Sequence, residues 1–258
     1  MRNLNDTDGR RLEKRLNERF VKAMATYHLI EDDDRIRVGL SGGQDSLLLT
    51  ELLAKRAKIE HPRFSVEALH VRMENIHYET DTSYLQAFCD NLGVKLHVRT
   101  TRFEVLDESS MFNIQSSIKR KQKQPCFLCS WMRRKELFNL AQELGCNKIA
   151  LGHHQDDILH TALMNLTFQG RFGSMPARLK MRKMPLTIIR PLCMIEEQDI
   201  KAYAELQGYQ KQQKLCPYEN DSHRADIKRL YDEIERMNPE ARYSMWNALN
   251  ADNKLIED

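Results

Sequence analysis

Short apolar runs alternate with longer stretches of helical period along almost the whole of this 258-residue chain. The runs are Arg35–Leu40 (RIRVGL), Ser65–Val71 (SVEALHV), Val94–Arg99 (VKLHVR), Lys148–Leu151 (KIAL) and Leu186–Arg190 (LTIIR). Around and between them, residues 9–29, 45–56, 78–92, 129–144, 155–168 and 196–207 carry apolar side chains at helical spacing, and the C-terminal end reads as helical too. A strand followed by a helix of a dozen or so residues rejoins its sheet in parallel, because the crossover has room to return. The alternation therefore predicts an α/β fold, a doubly wound, mainly parallel sheet with helices on both faces. Residues 100–124 and 170–185 lack a period and read as polar, basic connections.

In such sheets ligands bind beyond the carboxyl ends of the strands. Ser41-Gly42-Gly43-Gln44-Asp45-Ser46 follows the first run directly and leads into a helix. Glycines there permit positive φ and let backbone N–H groups approach a ligand. The helix start adds unpaired donors and a positive dipole end, which together favour an anion. Ser41 and Ser46 supply hydroxyls, and Asp45 either holds a magnesium ion or caps the helix. The loop is neither GxxxxGK[ST] nor GxGxxG.

Gly152-His153-His154-Gln155-Asp156-Asp157 follows the fourth run and so belongs at the same edge. Asp156 or Asp157 is a candidate magnesium ligand, and His153 or His154 a candidate contact to phosphate or base. Arg190, just after the fifth run, is a candidate for completing the phosphate site.

Six cysteines stand at 89, 126, 129, 146, 193 and 216. The N-terminal stretch MRNLNDTDGRRLEK has no apolar core of a secretory signal, so a cytoplasmic setting with reduced thiols is expected. Cys126 and Cys129 form a CxxC, which serves one metal, one cluster or a redox pair. Cys89, Cys146 and Cys193 sit in or beside core elements and read as small buried apolar residues. Cys216, in a polar context, is left as the best third ligand. Three thiolates suit a 4Fe-4S cluster with one iron open.

Net charge is only +3, so the distribution of charge matters more than its sum. Basic clusters at 10–22, 119–123, 133–135 and 178–183 are able to merge into one phosphate-binding surface. The candidate RNA contacts are Arg11, Arg15, Lys119, Lys121, Arg133, Arg134, Arg178 and Lys180.

SGGQDS matches the SGGxDS signature of PP-loop ATP pyrophosphatases. Together with KRLNERFVKAM, PCFLCSWMRR, IALGHHQDDILHTALMNL, IIRPL, EEQDIKAYAE and RADIKRL, in this order, the chain resembles the tRNA 2-thiocytidine synthetase family. The resemblance implies an adenine nucleotide alpha hydrolase-like fold, with a basic helix over 1–30, a PP-loop domain over 31–215 and a helical segment over 216–258. It implies that ATP adenylates the C2 oxygen of a cytidine in the tRNA anticodon loop, at position 32, and that sulfur carried by a cluster on Cys126, Cys129 and Cys216 displaces AMP. The implied ATP site comprises Ser41, Gly42, Gly43, Asp45, Ser46, His70, Gly152, His153 and Arg190, with Asp45 and Asp157 catalytic and Asp45 on Mg2+. A cysteine desulfurase as sulfur donor and a homodimer are implied as partners. Two other readings are a PP-loop thiolation enzyme for another nucleotide or small molecule, and a nucleotide-binding protein with a structural zinc.

Overall fold

The computed structural model describes residues 6–74, 82–102, 125–210 and 223–258, and for Asp6 and 125–129 the backbone alone. The elements are α1 (Asp6–Thr26), β1 (Asp34–Gly39), α2 (Gln44–Arg56), β2 (Phe64–Met73), α3 (Thr82–Leu92), β3 (Lys95–Thr101), α4 (Pro125–Glu143), β4 (Lys148–Ala150), α5 (Gln155–Gln169), β5 (Arg178–Lys180), β6 (Thr187–Ile189), α6 (Glu197–Gln207), α7 (Arg224–Met237), α8 (Ala241–Ala251) and β7 (Ile256–Glu257). The strands form one sheet in the order β3-β2-β1-β4-β6-β5-β7. The pairs β3–β2, β2–β1, β1–β4 and β4–β6 are parallel, as the alternation of runs predicts.

Strand order reverses between β1 and β4. From β1 the chain winds outward through β2 to β3, then returns to place β4 on the other side of β1. The register aligns Val38 with Ala68 on one side and Ala150 on the other, so β1 and β4 end level. The loops after these two strands therefore splay apart and open a crevice at the switch point. At the opposite end of the same strands, Lys148 Nζ lies 2.7 Å from Asp34 Oδ2 and Asn147 Nδ2 donates to Asp34 Oδ1 at 2.7 Å.

Terminal helices share the sheet's core. Leu16 and Phe20 of α1, Tyr231 of α7 and Trp246 of α8 belong to the same buried cluster as Ile36, Val38 and Ile189. Polar contacts fix the helix positions. Arg15 donates to Asp199 through Nε (3.0 Å) and Nη2 (2.5 Å), tying α1 to α6. Tyr203 Oη donates to Glu51 Oε1 at 2.7 Å and Tyr209 Oη donates to Oε2 at 2.5 Å, tying α6 and the chain after it to α2.

Four local readings change. Helix α4 begins at Pro125 rather than near Cys129, consistent with the favourable fit of proline to a first helical position, so both cysteines of the CxxC lie inside the helix. Thr100 and Thr101 prolong β3, paired with Arg72 and Met73, where a connection was expected. The stretch read as a basic loop at 170–185 holds β5, antiparallel to β6. Only Leu179 in Arg178-Leu179-Lys180 is apolar, which is too little for an alternation to show. A short connection, closed by Met181 N donating to Leu186 O at 3.0 Å, permits the antiparallel return. Strand β7, two residues long, completes that edge beside β5. Lys119, Lys121 and Cys216 lie outside the described residues.

Candidate active site at the sheet switch point

After β1 the chain turns through Ser41, Gly42 and Gly43 into α2, with Gly42 at φ +88°, a conformation that costs glycine little. Ser46 Oγ donates to Gly43 O at 2.8 Å and accepts from Ser41 N at 3.2 Å, so the turn is laced to the first turn of the helix. Gly43 caps α2 without any side-chain hydrogen bond. The first N–H groups of α2 and its dipole end are thus presented to the crevice, the arrangement that binds phosphate.

The loop after β4 packs against this turn. A Cβ built on Gly152 would stand 3.1 Å from Asp45 C, 3.2 Å from Asp45 O and 3.2 Å from Ser46 N. All three atoms are backbone, so the two loops approach each other as closely as a glycine allows. Next to it His154 occupies the N-cap of α5, its N–H donating to Asp157 Oδ2 at 3.2 Å. Burial opposes charge on His154, but Asp156, Asp157 and Asp45 around it raise its pKa above the ordinary value.

The acid pair divides its work. Asp156 accepts from Arg242 Nη2 (2.8 Å) and from Glu197 N (2.8 Å), so it joins α5 to α8 and to the start of α6. Burial opposes its charge, yet these bonds and the approach of His154 hold its carboxyl well below the usual range. Asp157 keeps more exposure and lines a cavity, so it is the member of the pair available to a ligand.

His153 and Arg190 form a second unit. Arg190 Nε donates to His153 Nδ1 at 3.2 Å, and Nη1 donates to the Pro176 carbonyl. Burial, followed by the charges of Arg190, Arg134 and Arg224, drives the His153 pKa down to about 3. The ring is therefore neutral. With Nδ1 accepting, its proton sits on Nε2, where it is a donor. Arg190 itself is buried, which with the charge of Arg134 lowers its pKa to about 10.

A cavity of about 200 Å³ opens from the glycine turn, walled by Leu40, Leu69, Val71, Leu137 and Leu151 and edged by Ser41, His70, Ser130, Arg133, Arg134 and His153. His70 is buried and its Nδ1 lies 2.7 Å from the Leu40 carbonyl, which only accepts, so Nδ1 carries the proton. Burial lowers the His70 pKa and keeps the ring neutral. Its Nε2 is then a buried acceptor with no partner among the described residues. Ser130, Arg133 and Arg134 belong to α4 and follow Cys129 directly, so the CxxC segment leads into this cavity's wall. A second cavity of about 230 Å³ lies on the far side of His153, between α5 and α7.

Ser41, Gly42, Gly43, Asp45, Ser46, His70, Gly152, His153, Asp157 and Arg190 thus gather at one sheet edge, with Arg133 and Arg134 at its rim. Four other basic candidates sit elsewhere. Arg15 is paired with Asp199, Arg11 lies exposed 3.7 Å from Asp8, and Lys180 is exposed on β5. Arg178 is held by Asp258 at 3.0 Å and by the His28 carbonyl at 3.3 Å. No sequence motif marks Arg224 and Lys228 of α7 as site residues. Their spacing with Ile227 and Tyr231 was the available signal, since it sets two cations beside a buried apolar stripe.

Among the described residues no group of three or more His, Cys, Asp or Glu side chains is arranged to hold a metal ion. Magnesium at a phosphate site needs fewer, because one or two carboxylates plus substrate oxygens suffice, and Asp45 and Asp157 meet that requirement. For a cluster the donor set itself is the test. Burial pushes the thiols of Cys89 and Cys146 up to about 11 and that of Cys193 higher still, against the thiolate a metal requires. Cys126 and Cys129 at the start of α4, with Cys216, are the remaining donors and fit a three-thiolate set.

A PP-loop domain model matches residues 10–230. A tRNA-cytidine(32) 2-sulfurtransferase from Bordetella avium is 34% identical over 94% of this chain and 74% of its own length. One from a Marinomonas species is 32% identical over 96% of this chain and 88% of its own. Among solved structures, a U34-tRNA thiolase from Methanococcus maripaludis with its 4Fe-4S cluster superposes with a TM-score of 0.71 at 25% identity, over 93% of this chain and 78% of that one.

Proposed function

Because this chain belongs to the PP-loop family, and within it to the tRNA-cytidine(32) 2-sulfurtransferases, we propose that it is an ATP-dependent tRNA sulfurtransferase that makes 2-thiocytidine at position 32. The observation that carries the reading is the single cavity shared by the glycine turn, His70, His153 and the helix that bears Cys126 and Cys129.

The leucine and valine walls suit an adenine ring. The unpartnered Nε2 of His70 accepts from the exocyclic amine of adenine, whereas guanine offers a carbonyl oxygen there. The turn and the first N–H groups of α2 hold the β and γ phosphates, and Asp45 and Asp157 hold Mg2+. The C2 oxygen of the cytidine attacks the α phosphorus and pyrophosphate leaves. His153 Nε2–H and Arg190 face the charge that develops there, as preorganised donors do best in a partly desolvated site. Sulfur at the oxidation level of sulfide then adds at C2, the C2–O bond breaks, and AMP departs with the former base oxygen. A cluster held by Cys126, Cys129 and Cys216 would supply that sulfur as a soft nucleophile. The reading includes a cysteine desulfurase as the source, a homodimer as working unit and the cytoplasm as location; among the described residues no helix is long and apolar enough to cross a membrane.

The test is nucleoside analysis of unmodified tRNA after incubation with anaerobically purified protein, ATP, Mg2+ and a sulfide source. The reading expects 2-thiocytidine, its loss in Cys126→Ser with ATP binding kept, and a preference for ATP over GTP that weakens in His70→Ala. Full thiolation by Cys126→Ser removes the cluster assignment, and absence of any thionucleoside from the wild type removes the function. Zinc in place of iron and sulfide would favour the structural-metal reading.

A further inference from the structure

Two cavities meet at His153. One opens from the glycine turn, and the other lies between α5 and α7 and touches no residue of that turn. We propose that the cavity between α5 and α7 is the pocket for the acceptor nucleotide, taking one pyrimidine base of the RNA against Met164 and Met175 and its phosphate against Arg224. The inference rests on the sulfurtransferase reading and gives it a place for the second substrate.

Size and chemistry both favour this occupant. At about 30 Å³ per water, 230 Å³ corresponds to roughly eight waters. That is room for a pyrimidine ring, and with no residue of the glycine turn in its lining the cavity lacks the phosphate-binding turn that marks the other one. Met164, Met175 and Ile227 are apolar and partly or fully buried against the main core, and the two flexible, polarisable thioethers make the sulfur–aromatic contacts that suit a nucleobase ring. Thr161, His160 and Asp157 supply polar groups along one side.

Charge points the same way. Lys228 Nζ is bound to Glu197 Oε2 at 2.5 Å and is largely spent. Arg224 is exposed, and no ion pair or hydrogen bond engages it among the described residues. Its charge nonetheless reaches His153, as does that of Arg134 from the other cavity. Each cavity thus sets an arginine, Arg134 or Arg224, near the same neutral histidine. A phosphate of the RNA would answer Arg224. An anticodon-loop base is single-stranded, so turning it into such a pocket breaks no base pair.

The experiment pairs Thr161→Trp, which fills the cavity from α5, with Arg224→Ala, an exposed change that leaves the fold alone. Each is compared with wild type for ATP affinity, for thiolation of tRNA, and for the emission change of a fluorescent cytidine analogue at the target position. Arg224→Ala should raise the KM for tRNA about tenfold or more, the loss of one charged hydrogen bond, with ATP affinity unchanged. Thr161→Trp should retain ATP binding while abolishing both thiolation and the emission change. Wild-type thiolation by both variants, or a loss of ATP affinity with the emission change intact, overturns the assignment. Wild-type protein that thiolates no tRNA would instead overturn the reading on which the pocket rests, and the pocket with it.

Discussion

Replacing Gly152 by alanine tests whether the two loops at the switch point act as one phosphate receptor. The added methyl meets Asp45 C, Asp45 O and Ser46 N at 3.1–3.2 Å, a few tenths of an ångström inside ordinary contact. These are backbone atoms at the start of α2, which cannot rotate away as a side-chain tip does. Either the loop after β4 or the glycine turn must shift. Overpacking of this kind costs about 1–3 kcal/mol, which in a chain of this size lowers Tm by roughly 2–10 °C. Binding should suffer too, since a shift of a few tenths of an ångström misaligns the N–H groups at the start of α2, and losing one hydrogen bond to a charged phosphate costs about 1.5–3 kcal/mol. Calorimetric titration with ATP should show at least a tenfold weaker affinity for Gly152→Ala. Gly173→Ala is the control, because nothing stands within 4 Å of a Cβ there. Unchanged ATP affinity and Tm in Gly152→Ala would refute the close packing of the two loops as a requirement for binding.

Acid should destabilise the fold before it reaches the carboxylates. His153, with its pKa near 3, and His70, also depressed by burial, refuse protons that the unfolded chain binds below about pH 6.5. Their stabilisation is present above that pH and is lost as pH falls, while the raised pKa of His154 acts in the opposite sense. Urea midpoints should fall between about pH 7 and pH 5, and His153→Gln should flatten the slope; a midpoint that rises on acidification contradicts the account. Arg242→Ala strands the buried Asp156 carboxylate and should cost about 3 kcal/mol in chemical denaturation, so a loss below about 0.5 kcal/mol would show that Asp156 is not held by this pair. In tRNA binding, Arg134→Ala should weaken affinity and reduce the salt slope by about one, whereas Arg178→Ala, already tied to Asp258, should change neither. The reverse order would move the RNA surface to the β5 edge.

The central strands and both site loops were legible because their physics is local. Ser41, Gly42 and Gly43 announce a turn after a buried strand, and His153 to Asp157 open a helix at the same edge. Relations carried by distant partners were not. Nothing beside Asp156 in sequence shows that Arg242 will occupy it, which is why the two aspartates looked equivalent. Arg15 and Arg178 read as free cations for the same reason, their partners Asp199 and Asp258 being far along the chain. Strand β5 was invisible since three residues with one leucine carry no period. Arg224 and Lys228 look like a solvated helix face until α7 is seen to close a cavity against α5.

The fate of one oxygen atom tests the central claim most directly. Transfer RNA carrying oxygen-18 at C2 of the target cytidine is incubated with ATP, a sulfide source and the purified protein, and the nucleotide products are weighed by mass spectrometry. Activation of that carbonyl by ATP at the switch point predicts AMP bearing the heavy oxygen, one for each 2-thiocytidine formed. ADP as the nucleotide product, or thiolated tRNA with unlabelled AMP, would contradict it.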